Sequence, residues 1–263
     1  MKSIIGLSLL ACATLVFAEE TGFTTHTELG YVSTSGNTNT KSGSIDFVGK
    51  QKWDKHAIQL DIDYIYGEQE GVETNNKLVT EFNYDYLFTK KLGLNYLVGY
   101  KNDKFSGFDY QFYTGPGLKY QAIKNDEHSL ALQGNIVYSI DQESDKFYSD
   151  ALFTVATPYP FDPVKGAFKD PSSGQSTEYT SYLLQADYAW NITKTFKFTQ
   201  KLSYRSSFES SDNYFVHSKT GVASKINSTF SMGMNYKVDY TNLPPVGNVR
   251  TDKQFTASLI IDY

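Results

Sequence analysis

The chain is poor in the residues on which most enzymes and metal proteins are built. Its 263 residues include one cysteine, Cys12, four histidines and two tryptophans. A single cysteine excludes an internal disulfide framework and any cysteine-based metal cluster. Only His26, His56, His128 and His217 could act as general bases or imidazole ligands, and they are scattered along the sequence. Beyond the first residues no apolar run is long enough for a membrane helix, and mean hydropathy is −0.42. The net charge of −5 comes without a basic stripe, so nucleic acid is not an expected partner. No phosphate-cradling glycine loop precedes a helix, and no cofactor or metal is expected.

Aromatic residues are abundant instead, with 21 Tyr and 18 Phe. Tyrosine suits a membrane interface, where its ring lies among acyl chains and its hydroxyl in water. A hydropathy average does not exclude a membrane barrel, because only every second strand residue meets lipid.

Met1-Lys2, an apolar run from Ile4 to Phe17 and the small Ala18 before Glu19 read as a secretory signal peptide over residues 1–18, cleaved after Ala18. A lipoprotein signal at Leu9-Leu10-Ala11-Cys12 is the competing reading.

The rest alternates with a period of two. From Leu78 to Phe88 the residues Leu78, Thr80, Phe82, Tyr84, Tyr86 and Phe88 share one face, and Val79, Glu81, Asn83 and Asp85 the other. After Thr89-Lys90-Lys91 the pattern resumes through Leu92, Leu94, Tyr96, Val98 and Tyr100, which is a hairpin. The same alternation recurs about twelve times, with short connections alternating with longer ones at 67–75, 101–109 and 209–214. The longest, 141–177, carries Pro158, Pro160, Pro163 and Pro171, and Ala151–Ala156 is taken as part of it. Pro116 should mark a bulge or a local break in pairing. The expectation is an all-β fold over 19–263, a transmembrane antiparallel up-and-down barrel of about twelve strands in the bacterial outer membrane. A soluble sandwich or closed soluble barrel, apolar inside and charged outside, is the alternative.

Two aromatic girdles are expected. One joins Trp53, Tyr86, Phe88, Tyr120, Trp190, Phe196, Phe230 and Tyr263 at the short-turn end. The other includes Tyr66, Tyr100, Tyr138 and Tyr182 at the opposite end. The polar face should line the lumen, with Asp61, Asp63, Glu81 and Asp85 on one wall and Lys197, Lys201, Arg205, Lys219 and Lys225 on another. Opposed rows of charge would set up a transverse field, or else pair and fill the interior. About twelve strands lie between plugged and open barrels, and inward Gly93, Gly99, Gly115 and Gly117 suggest free volume.

Leu29-Gly30-Tyr31-Val32-Ser33-Thr34-Ser35-Gly36-Asn37-Thr38-Asn39-Thr40-Lys41-Ser42 resembles the opening of the YdiY-like family, described as salt-induced outer-membrane proteins of unknown function. The resemblance implies an outer-membrane barrel of Gram-negative bacteria with no established enzymatic activity, and supplies no catalytic residues.

Catalysis has one candidate neighbourhood, His217 with Asp212 and Ser218, at the outer rim, although adjacent strand residues face opposite sides. Asp141-x-Glu143-x-Asp145 has the alternating oxygens of a calcium loop, but Lys146 stands where the turn glycine belongs. Glu68, Glu70, Glu73, Asp141, Glu143 and Asp145 form an expected external acidic set able to share cations with lipid phosphates. The chain is therefore read as a monomeric, non-enzymatic barrel, a narrow passive pore for small hydrophilic solutes or ions. A non-conducting barrel that stabilises the envelope or binds lipid is the alternative. Its partners would be outer-membrane lipid and lipopolysaccharide, and the barrel-assembly machinery acting on the C-terminal strand that ends at Tyr263.

Overall fold

The computed structural model describes residues 22–36, 38–145, 147–148, 161–162, 164–165, 167–169, 173–245 and 247–263. The leader, the Ala151–Ala156 stretch and the four prolines of the long connection lie outside the described residues. Seven strands come first: β1 (Phe23–Thr34), β2 (Thr40–Trp53), β3 (His56–Gln69), β4 (Val72–Leu87), β5 (Leu92–Asp103), β6 (Phe108–Lys124) and β7 (His128–Glu143). Three short strands follow, β8 (Phe147–Tyr148), β9 (Phe161–Asp162) and β10 (Ala167–Lys169), forming a separate sheet in the order β8-β10-β9. Then come β11 (Ser176–Asn191), β12 (Phe196–Ser207), β13 (Tyr214–Lys225), β14 (Phe230–Thr241) and β15 (Thr251–Asp262). Strands β1–β7 and β11–β15 close one antiparallel up-and-down barrel, with β15 returning to pair with β1.

An up-and-down barrel gives its two ends different connections. One end, here the turn end, carries both ends of the barrel chain and the connections at 54–55, 88–91, 125–127, 192–195 and 226–229. The other, the loop end, carries 35–39, 70–71, 104–107, 144–175, 208–213 and 242–250. The connection expected over 67–75 is instead a two-residue hairpin at Glu70-Gly71, because both residues take positive φ, 50° and 78°. Positive φ at both central positions matches the right-handed twist of the flanking strands. The long connection is also shorter than 141–177, since β7 runs through Glu143 and β11 starts at Ser176.

Pro116 lies in an unbroken β6 and faces Tyr96 on β5. On the β7 side the ladder skips from Thr114↔Tyr138 to Gly117↔Asn135 with its register unchanged. The missing amide thus breaks the pairing locally without a bulge. The register shifts of β6 lie elsewhere, at Phe108/Tyr110 and Gln121/Ile123.

The distribution of polarity is inside out. Ile136, Leu184 and Met232 point outward and are 59%, 54% and 65% exposed, whereas Asn95, Lys237 and Glu81 point inward and are 2%, 3% and 9% exposed. The inward apolar core is small, Leu97, Val137 and Leu183 against Tyr113. A soluble barrel would reverse this, so the soluble alternative fails. With twelve strands paired into a closed ring, a barrel of this polarity can cross lipid.

Candidate functional site

Strand alternation sends every second side chain into the lumen, and the charged ones meet there. Lys201 on β12 reaches across to Glu81 on β4 at 2.6 Å and Asp61 on β3 at 3.3 Å. Lys219 on β13 pairs with Asp46 on β2 at 3.0 Å and Glu28 on β1 at 3.4 Å. Lys237 on β14 holds Asp46 at 2.8 Å and also Asp63. Nearer the loop end, Asp239 pairs with Lys77 and with His217 Nδ1, the latter at 2.5 Å.

Arg205 forms a second, more deeply buried group. Its guanidinium donates to Asp141 Oδ1 and to the Tyr179 hydroxyl, both at 3.1 Å, and Tyr179 donates to Asp141 Oδ2. The ring of Phe215 lies 4.4 Å from the guanidinium carbon and that of Tyr113 5.1 Å. Tyr113 donates to Glu81 at 2.7 Å, which ties the two groups together.

The arc from β4 to β7 is filled by neutral amides. Asn95 donates to Asn83 and Asp85, Gln133 to Asn83 and Asn135, and Asn135 back to Asn95. Lys119 completes the set with Asp85 at 2.8 Å. Such a network fixes side chains rather than leaving space. The inward glycines do not provide free volume either. A Cβ at Gly99 would meet the Tyr113 ring at 2.1 Å, so that glycine is where the ring lies on the wall.

Two of the cavities on the charged side lie next to this ion-paired set. One of about 200 Å³ is lined by Asp63, Lys77, Glu81, Lys201, His217 and Lys219. The other, about 610 Å³ at the turn end, is lined by His26, Glu28, Lys50, Lys197, Asn235 and Asp262. Val48 borders both, and the bridge from Lys219 to Glu28 joins a residue of one to a residue of the other.

Of the residues expected in the lumen, Asp61, Asp63, Glu81, Asp85, Lys201, Arg205 and Lys219 are brought into this ion-paired set. Lys197 lines the turn-end cavity and is exposed, and Lys225 lies exposed near the same end of β13. The two rows do not stand apart as a field; they pair across the lumen.

Three expectations need correction. Asp141 is a buried lumen residue bound to Arg205, so it belongs to neither a calcium loop nor the external acidic set. His217 is not at the rim but lines the 200 Å³ cavity. Ser218, next to it, faces the other way and accepts from Gln200 at 2.9 Å, so Asp212, His217 and Ser218 do not converge. Glu28, Asp46, Lys77, Lys237, Asp239 and Tyr113 were not singled out in the sequence. Parity was the available signal, because each alternates with outward apolar residues on its strand.

The aromatic residues lie where the alternation puts them. Trp53 stacks on His56 at 5.6 Å and Trp190 on His128 at 5.7 Å, while Tyr86 meets Phe88 edge-on at 5.7 Å. Tyr120, Phe196, Phe230 and Tyr263 are exposed near the same end. Toward the loop end Tyr66, Tyr100 and Tyr138 are exposed, and Tyr182 leans on Phe208 at 5.2 Å.

A family model described as a protein of unknown function, DUF481, matches residues 27–263. No curated protein matches the chain. Among solved structures, a NanC porin is similar at 11% identity with a TM-score of 0.44, covering 90% of this chain and 97% of that one. The translocator domain of autotransporter NalP from Neisseria meningitidis is similar at 8% identity and a TM-score of 0.45, covering 98% and 94%. The outer membrane channel DcaP of Acinetobacter baumannii is similar at 8% identity and 0.39, covering 92% and 95%.

Proposed function

The chain belongs to the DUF481 family, whose function is unknown, and from that premise we propose that it is a narrow passive path for small hydrophilic solutes or ions. The observation that carries this reading is the partition between the two lumen cavities. The Lys219–Glu28 bridge, an ion pair between flexible side chains, joins a residue lining one cavity to a residue lining the other. Exchange of the Lys219 ammonium from Glu28 to Asp46 alone, which it also touches, changes that boundary without moving a strand. Side-chain rings of this kind set conductance and selectivity in channels.

Planar-bilayer recording of the purified barrel tests it. Small ohmic steps are expected, and Lys219→Met should enlarge them and shift the reversal potential toward cations, because Glu28 and Asp46 then lose one of their cations. Silence of both proteins across salt and voltage would remove the pore.

The amide-filled arc and the many cross-lumen pairs favour a second reading, a non-conducting barrel that stabilises the envelope or binds surface lipid. It is the reading that silent bilayers would support. A role in salt stress, as the YdiY-like resemblance implies, predicts a rise in transcript after a shift to high salt. On either reading the barrel is a non-enzymatic monomer with a leader cut after Ala18. Its partners are membrane lipid, lipopolysaccharide and the assembly machinery acting on the strand ending at Tyr263. Edman sequencing of the mature protein should begin at Glu19.

A further inference from the structure

The closure of the barrel is incomplete at one place. β1 and β15 pair only from His26↔Asp262 to Leu29↔Leu259, with Thr25 and Tyr263 exchanging backbone bonds beyond His26. On their other sides both strands are laddered along their whole length, β1 with β2 from Phe23 to Thr34 and β15 with β14 from Thr251 to Ile261. The two strands are still adjacent at Gly30, where a Cβ would stand 3.2 Å from the Ala257 carbonyl. Past that point no pairing joins Tyr31–Thr34 to the rest of β15 among the described residues. The seam therefore opens as a notch toward the loop end.

The notch reaches membrane depth. Phe255 is level with Tyr236 on β14, below Tyr240 near the loop end, and is 66% exposed; on β1, Tyr31, which the register sets opposite Ala257, is 71% exposed. Unpaired strand edges do not persist against hydrocarbon, since a bare backbone group there is strongly disfavoured unless something polar meets it. On the inner face of the same stretch, Gln254 Nε2 and Thr256 Oγ1 are buried without a hydrogen-bond partner. Gln254 also lines a cavity of about 140 Å³ in which Lys77, Lys237 and Lys253 are matched by Asp103, Asp239 and Asp252.

We propose that the β1–β15 notch is a lateral binding site for a single-chain amphiphile with a zwitterionic or neutral polar head. Its tail lies against Phe255 and Tyr31, and its head meets Gln254, Thr256 and the charge-balanced cavity behind them. The balance of three cations and three acids disfavours a strongly anionic head. A docked β-strand fits less well, because the gap starts from contact at Gly30, whereas a strand inserted between two others needs about 4.8 Å on each side. The site requires the membrane-barrel reading but not conductance.

The test uses the full chain in phosphatidylcholine vesicles with lysophosphatidylcholine carrying a diazirine in its tail, crosslinks being mapped by mass spectrometry. Labelling at residues 31–34 and 251–256 should exceed that at the Tyr100–Tyr110 seam by about tenfold, a preference of roughly 1.4 kcal/mol. Excess unlabelled lysophosphatidylcholine should abolish it, and excess two-chain lipid should not. Equal labelling of all seams, loss to two-chain lipid, or crosslinks joining two copies of the chain would each overturn the proposal. No labelling anywhere on the outer face would overturn the membrane reading along with it.

Discussion

Replacing Arg205 with Met tests a deeply buried ion pair of the barrel. The Arg205 and Asp141 side chains are 7% and 6% exposed. Met keeps most of the volume against Phe215 and Tyr113 but leaves Asp141 with only Tyr179 and Gln111 as donors. Removing one partner of a buried ion pair costs about 3–5 kcal/mol, because the remaining charge is stranded. At a urea slope of about 2 kcal/mol/M, that loss lowers the unfolding midpoint by roughly 2 M. Equilibrium unfolding in lipid vesicles, followed by tryptophan fluorescence, reads the shift. Arg205→Met/Asp141→Asn should recover most of it, to within about 1–2 kcal/mol of the parent, since no charge is then buried alone. A single variant within about 0.5 kcal/mol of the parent is what an exposed loop carboxylate would give. That result, or a double variant no better than the single, would refute the placement of Asp141 inside the barrel.

Leu184→Arg places a charge at an outward position 54% exposed, which should cost about 2–4 kcal/mol in vesicles if that face meets lipid. The same substitution on a water-facing surface would be nearly silent in the same unfolding assay. Gly99→Ala forces the Tyr113 ring off the wall and away from Glu81, at a cost of about 1–3 kcal/mol from overpacking. In a Tyr113→Leu background the cost should largely vanish, and equal costs in both backgrounds would mean the ring does not lie on Gly99. Glu70, in the turn after β3, accepts from the backbone N–H and the side-chain amide of Asn39, which hold its carboxyl below the ordinary glutamate range. A depressed carboxyl contributes its stability above the unfolded value and loses it as pH falls through the lowered folded one. Amide exchange at Asn39 should therefore stay slow down to a pH below about 4.3 and then quicken. Acceleration that begins above that value would refute the contact.

Much of the fold was legible because a membrane barrel writes itself in a local code. The period of two in Leu78–Phe88 and Leu92–Tyr100 fixes which residues face lipid and which face the lumen, and the rhythm of short and long connections orients the strands. Asp61, Glu81, Lys201 and Lys219 were assignable to the interior on that code alone. What alternation does not carry is distance around the ring. That Lys201 on β12 meets Asp61 on β3, or that Lys237 bridges Asp46 and Asp63, follows only from closure, which brings strands remote in sequence across from one another. Strand pairing also made Gly99, expected to open the lumen, a seat for Tyr113 opposite it, and set Asp141 of β7 two strands from Arg205 of β12, within reach of an ion pair. Parity is set residue by residue by backbone geometry, whereas pairing partners and the short β1–β15 ladder are set by how the whole ring meets itself.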